Sequence, residues 1–204
     1  MSKINRLICL FTFFTIALQA QVPEWIWHPG GAATNNEVRY FRKTFSVKDK
    51  PDSATLAIAA DDEAEIWLNG KRQGDVKGWN NAAIINLKKI KQGENLIAIR
   101  GWSGTGDAAL LAKIEISFGQ GKKLVVVSDA SWKSSDVGDE GWQTVEFSGA
   151  NNWSSAKSKG KLGVAPWGDV MKVAQATRAE DLVLLPGFKV ELLKSAQPGE
   201  GSWI

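Results

Sequence analysis

An all-β sandwich or barrel is the fold class predicted by this 204-residue sequence. Three observations carry the prediction. From Val38 to about Ser128, short segments of alternating apolar and polar residues follow one another at spacings of roughly 8–12 residues, the rhythm of strands joined by turns. Asn69-Gly70 directly follows Glu65-Ile66-Trp67-Leu68, and this pair tolerates the positive φ that both central positions of a tight hairpin turn require. The composition, 10 Trp against 1 Tyr and 20 Gly against 6 Pro, sets wide flat side chains among tight turns, which helical bundles seldom do.

The elements follow in order. Val38 to Phe45 places Phe41 and Phe45 on one side and Tyr40 on the other, as in a half-buried strand. Ala54 to Ala60 alternates Leu56 and Ile58 with small residues. Glu65 to Leu68 runs into the Asn69-Gly70 turn, and Lys71 to Gly74 returns from it. Ala83 to Leu87, Asn95 to Arg100, Ala109 to Phe118 and Leu124 to Val127 continue the series, with turns at Gln92-Gly93-Glu94-Asn95 and Gly119-Gln120-Gly121. Alternation predicts that Ile58, Ile66, Leu68, Ile97, Ile99, Ile114 and Ile116 face the interior. Lys157 to Lys161 reads as a solvated loop within a Gly/Ser/Trp-rich stretch, 148–168. After it, Val170 to about Leu184 has helical composition and stops at Pro186-Gly187.

The first twenty residues read as an export signal. Lys3 and Arg6 precede the apolar run Leu7 to Leu18, and Ala20 supplies a small residue for cleavage, so the mature chain is expected to start at Gln21. The sole cysteine, Cys9, lies inside that run, which leaves packing or a bound ion to stabilise an exported, periplasmic or extracellular domain without disulfides. Without residues 1–20 the chain has 23 basic and 22 acidic residues, a formal charge of about +1. No basic run interleaved with aromatics has the extent of a nucleic-acid groove, which argues against that partner class.

Catalytic chemistry is sparse. His28, the only histidine, precedes Pro29-Gly30 and reads as a turn residue, so neither a Ser-His-Asp nor a Cys-His arrangement can readily be assembled. Gly101-Trp102-Ser103-Gly104-Thr105-Gly106 lacks the lysine and the following helix of a phosphate loop. Asp61-Asp62-Glu63 is more informative: acids at a corner between strands can hold a hard cation, accept hydrogen bonds from sugar hydroxyls, or simply form a solvated turn. Two nearby loops, Val76 to Asn81 and Gly101 to Asp107, each set a Trp among glycines and polar residues. A Trp face stacks on the apolar face of a pyranose while Asp and Asn fix its hydroxyls.

The sequence from Trp25 to Gly168 resembles the galactose-binding-like jelly-roll domains of secreted glycosidases, including the rhamnose-binding modules of α-L-rhamnosidases. The resemblance rests on Trp25-Ile26-Trp27, Arg42-Lys43-Thr44-Phe45, Ala60-Asp61-Asp62 leading to Ile66-Trp67-Leu68-Asn69-Gly70, Gly93-Glu94-Asn95, Ser128-Asp129-Ala130-Ser131-Trp132-Lys133 and Ala165-Pro166-Trp167-Gly168. It implies a galactose-binding-like jelly-roll β-sandwich over residues 21–168 with a short C-terminal connector, 169–185. It also implies a sugar site at Asp61, Asp62, Trp79, Asn80 and Trp102, and calcium as a ligand of such domains. The chain departs from the family pattern in having Asp62 where rhamnose binders often carry Asn, and Glu63-Ala64 where an aromatic is common.

A second resemblance covers Leu185 to Leu193 and Gly201 to Ile204, which look like the opening of the β-propeller of sorbosone-dehydrogenase-like exported proteins, a family that often continues into a c-type haem domain. On this reading residues 186–204 begin a further domain of a longer protein, and that propeller is a partner in the same chain. Three functions stay open: a non-catalytic carbohydrate-binding module that holds an exported protein near glycan, a spacer without a ligand, and part of an enzyme whose active site lies beyond residue 204.

Overall fold

The computed structural model describes residues 21–30, 36–172, 187 and 189. The export signal, the greater part of the expected connector and all but two residues of the propeller-like opening fall outside the described residues. Residues 169–172 are in turn and irregular backbone.

Among the described residues twelve strands form two antiparallel sheets. They are β1 (Glu24–Trp27), β2 (Glu37–Val47), β3 (Ser53–Asp61), β4 (Glu63–Leu68), β5 (Lys71–Lys77), β6 (Ala83–Asn86), β7 (Gly93–Ser103), β8 (Ala109–Ser117), β9 (Lys123–Val127), β10 (Lys133–Ser135), β11 (Ser154–Ser155) and β12 (Lys157–Lys161). The first sheet runs β12-β1-β8-β3-β6, with β9 also on β8; the second runs β11-β10-β2-β7-β4-β5. This is the expected all-β jelly-roll sandwich.

The hairpin at Asn69-Gly70 forms as its sequence requires, with φ of 50° and 76°. Asn69 does more than turn the chain. Its Oδ1 accepts from the Leu96 N–H at 2.8 Å and its Nδ2 donates to Asn95 Oδ1 at 2.9 Å, which ties the turn to the start of β7.

Alternation decides the layers. Leu56, Ile58, Leu110, Ile114 and Ile116 of one sheet meet Phe41, Ile66, Leu68, Ile97 and Ile99 of the other, all with no exposure, and together they form the main core. All seven residues expected inside are there. The opposite parity does not simply face water. On the first sheet's outer face Trp25, Ala59, Ala109 and Leu111 are covered by Trp167 and Val170, with Trp79 and Met171 packed alongside. On the second sheet's outer face Leu96 and Ala98 lie under Trp142 and Trp153, with Tyr40, Trp67 and Phe147 packed against them.

Arg42 fastens the second cover. It is outward by parity yet buried, its Nη2 donates to the Thr144 carbonyl at 2.7 Å, and its guanidinium lies 5.0 Å from the Phe147 ring centre. Lys157 to Lys161, read above as a loop, is strand β12, which pairs with β1 from Glu24 to Trp27. Its three lysines sit on an edge strand, where charge discourages further pairing, so their polarity reflects edge position and not the absence of structure.

Ile99, at the centre of the core, and Ile84, 43% exposed on the edge strand β6, separate packing from composition. Ile99→Ala is expected to cost about 2–5 kcal/mol by urea unfolding, whereas Ile84→Ala should stay within about 0.5 kcal/mol.

Candidate functional site

β3 ends at Asp61 and β4 begins at Glu63, so Asp62 alone carries the chain from one sheet to the other. The Asp61–Asp62 peptide is cis. A one-residue crossing leaves little room for solvent to satisfy the backbone, and neighbouring segments do so instead. The Asp62 N–H donates to the Trp102 carbonyl at 2.9 Å, and the Asp62 carbonyl accepts from the Gly78 N–H at 2.6 Å. Asp62 Oδ2 accepts from the Gly104 N–H at 2.8 Å. One residue therefore holds together the end of β7, the loop after β5 and the crossing itself.

Asp61 is turned the other way. It shares its parity with Ala59 and so faces the first sheet's outer side, where its Oδ2 accepts from Trp167 Nε1 at 2.8 Å. Trp167 in turn stacks on Trp25, ring centres 5.0 Å apart. Burial pushes the Asp61 carboxyl above its ordinary value of 3.8; the Trp167 hydrogen bond opposes this, while the Asp62 and Asp107 charges add to it.

The expected site residues thus divide. Asp62 and Trp102 meet: a Cβ placed on Gly104 would stand 3.1 Å from the Trp102 ring and 3.2 Å from Asp62 Oδ2, so both close over that glycine. Trp79 lies with Trp25 and Trp167 in the cluster on the first sheet's outer face, while Trp102 is at an outward position of the second sheet, opposite Val38 and Glu63. Asn80 is exposed beside Trp79. Among the described tryptophans, Trp102 alone belongs to none of the three apolar clusters, and it is partly exposed.

Trp102 also borders a groove that sequence reading missed. A cavity of ≈ 410 Å³ lies on the second sheet's outer face, over β4, β5 and β7. Its walls are charges in pairs: Lys77 with Glu63 at 2.8 Å, Arg100 with Glu65 at 3.0 Å, and Arg72 with Asp75 at 3.0 Å. The Glu63 carboxylate raises the Lys77 ammonium above its ordinary value. The only signal in the sequence is period-2 charge on separate strands. It becomes a groove once the register sets Glu63 opposite Trp102 and Lys77, and Glu65 opposite Arg100 and Asp75.

Metal and nucleophile chemistry find less support. Among the described residues no three His, Cys, Asp or Glu side chains converge on one point, so backbone carbonyls and ligand hydroxyls would have to supply most of the roughly 6–8 oxygens a calcium ion takes. His28 Nδ1 lies 3.1 Å from Ser134 Oγ, but Ser134 is fully buried and out of a substrate's reach. Burial, and after it the Arg39 charge, lower the His28 imidazole below 6.5. Among the described residues no helix is long and apolar enough to cross a membrane.

No family model matches the chain. It is 33% identical over 164 residues to an α-L-rhamnosidase of Streptomyces avermitilis, a match that covers 74% of this chain and 16% of that enzyme. The solved structure of the Streptomyces avermitilis α-L-rhamnosidase complexed with L-rhamnose superposes with a TM-score of 0.68 and 31% identity, over 74% of this chain and 16% of that one. The lectin from Pleurotus ostreatus in complex with GalNAc superposes with a TM-score of 0.67 and 34% identity, over 76% of this chain and 46% of the lectin. The chain therefore spans about one sixth of the rhamnosidase it matches, 16%.

Asp61→Ala is expected to cost about 1–3 kcal/mol, because it leaves the buried Trp167 indole N–H without an acceptor. Asp61→Asn keeps an acceptor and removes the charge. Because the folded carboxyl sits above 3.8, the folded state binds the proton more tightly than the unfolded one. Wild type should then lose stability relative to Asp61→Asn as pH rises from 3.8 through the folded value, and the difference should level off above it. Paired thermal melts across that range measure it.

Proposed function

We propose that the chain is a non-catalytic carbohydrate-binding module of a larger exported protein, and that sugar is held at the corner formed by Asp62 and Trp102. The observation that carries this reading is the position of Trp102, partly exposed and outside every apolar cluster, with its ring closing over the same glycine as the Asp62 carboxylate. An indole face supplies the apolar surface for one side of a pyranose. A carboxylate supplies acceptors for hydroxyl donors, and here one oxygen is already fixed by the Gly104 N–H. The likeness to a lectin solved with GalNAc and to an α-L-rhamnosidase solved with L-rhamnose supports a sugar ligand of this size. Asp61, bonded to Trp167, and Trp79 belong to the first sheet's outer face, and Asn80 is exposed beside Trp79, so the corner itself rests on Asp62 and Trp102.

Export is inferred from the leader pattern of residues 1–20. Residues 186–204 are proposed to open a propeller-like domain of the same exported, sorbosone-dehydrogenase-like chain, which would place any catalysis of the parent beyond Ile204. The spacer reading has an observation of its own: the Asp61–Trp167 bond and the packing of Trp79 are internal devices.

Glycan-array screening and titration calorimetry of the chain, in calcium and in EDTA, distinguish the two. Binding of rhamnose- or galactosamine-containing glycans is expected, weak for a single sugar because water competes for every hydroxyl. Trp102→Ala should abolish it with little change in Tm, and loss in EDTA would assign calcium a part. A chain silent on every glycan is the spacer.

A further inference from the structure

The groove beside Trp102 is not used by a ligand confined to the Asp62 corner, yet it continues from it. Trp102 belongs to both: its ring closes over Gly104 with Asp62, and its side chain forms one end of the groove. The register gives the groove its dimensions. Lys77, Glu63 and Trp102 make one cross-strand row, and Asp75, Glu65 and Arg100 make the next. Rows two residues apart along a strand are separated by about 7 Å, and three strands span about 10 Å. A second sugar ring fits that floor, and a volume of ≈ 410 Å³ lies within the usual range for small-ligand sites.

Its electrostatics select the ligand's charge. Three acids line the groove, Glu63, Glu65 and Asp75, against three bases, Arg72, Lys77 and Arg100. Each base has an acidic partner within hydrogen-bonding distance. Among the described residues that line it no surplus cation is left to neutralise a uronate or a sulfate, and an anion placed there would meet three carboxylates. Neutral hydroxyls suit it better, since each can donate to a carboxylate and accept from a guanidinium or ammonium. The ion pairs hold those donors and acceptors in place before a ligand arrives, which reduces the ordering cost of binding.

We propose that the ligand is a neutral oligosaccharide, one ring at the Asp62 corner and the next along the groove formed by β4, β5 and β7. This deepens the carbohydrate-binding reading and rests on it. Neither ring needs a new fold element, because the outer face is left open where the cover formed by Trp142 and Trp153 ends.

Calorimetry of the full chain tests it. The probes are methyl L-rhamnoside, methyl N-acetylgalactosaminide, neutral disaccharides and trisaccharides ending in either sugar, and the same trisaccharides carrying a uronate or a sulfate. A neutral trisaccharide should bind at least about tenfold more tightly than the matching monosaccharide, and the acidic trisaccharides more weakly than the neutral one. Glu65→Ala and, separately, Arg72→Ala should bring the trisaccharide back to monosaccharide affinity while leaving the monosaccharide and the Tm unchanged. Both side chains are a third or more exposed, at 36% and 52%, so folding is not at stake. Equal affinity for one and three rings, indifference to both substitutions, or preference for an acidic glycan would each overturn the groove proposal and leave the corner site standing. Failure of every probe, monosaccharides included, would overturn both.

Discussion

The passage from β3 to β4 through the single residue Asp62 is the constraint on which the rest of this molecule depends. Two strands in different sheets, separated by one residue, fix how close the sheets stand at that end and which way the flanking side chains point. Asp61 is sent to the outer face of the first sheet and Glu63 to the outer face of the second. The backbone of Asp62 cannot reach bulk water on all sides, so Trp102 and Gly78 satisfy it. The loops that carry those residues are positioned by the need to satisfy the Asp62 backbone, and the proposed sugar site uses a corner that folding already requires.

The unusual tryptophan content follows from the sandwich having four apolar surfaces instead of two. A sheet that buries one face needs alternation alone. Here both outer faces are also part-covered, one by Trp167 and Trp79 and the other by Trp142 and Trp153, and a wide ring covers a sheet face with few residues. Polar anchors hold each cover in register: Asp61 for the first and Arg42 for the second. Both anchors lie buried at positions where alternation would place solvent-facing residues. Their charges are costly to bury and so are tied to hydrogen-bonding partners, and burial shifts the pKa of Asp61 up and of Arg42 down, each toward the neutral form.

Past Ala98 and Trp67, where the second cover stops, the sheet shows its ladder of charges, and Trp102 stands beyond the Arg100–Glu65 row near the end of β7. The site proposed above lies at that end of the sheet. A fully covered face offers no access, and a fully charged one offers no apolar surface for a sugar ring. The paired groups of the groove are each worth little to stability because they are partly solvated, so their arrangement is free to serve a ligand without loss to the fold.

Sequence alone determined the strands β2 to β9 and the inner core, because a two-residue period and the Asn69-Gly70 turn are local properties that survive any arrangement of the rest. It also pointed to the Asp61-Asp62 corner, since adjacent acids between two strands stand out in any reading. What it could not decide was the division of labour there. Whether Asp61 meets a ligand or Trp167 depends on a contact across 106 positions of chain. Whether Trp79 and Trp102 share a rim depends on which sheet each belongs to. Lys157 to Lys161 read as a loop because edge strands carry loop-like composition, and the groove was invisible because its charges come from three strands whose register is set only when the sheet is assembled. Local pattern fixes which residues alternate; tertiary pairing alone fixes what each alternating residue faces.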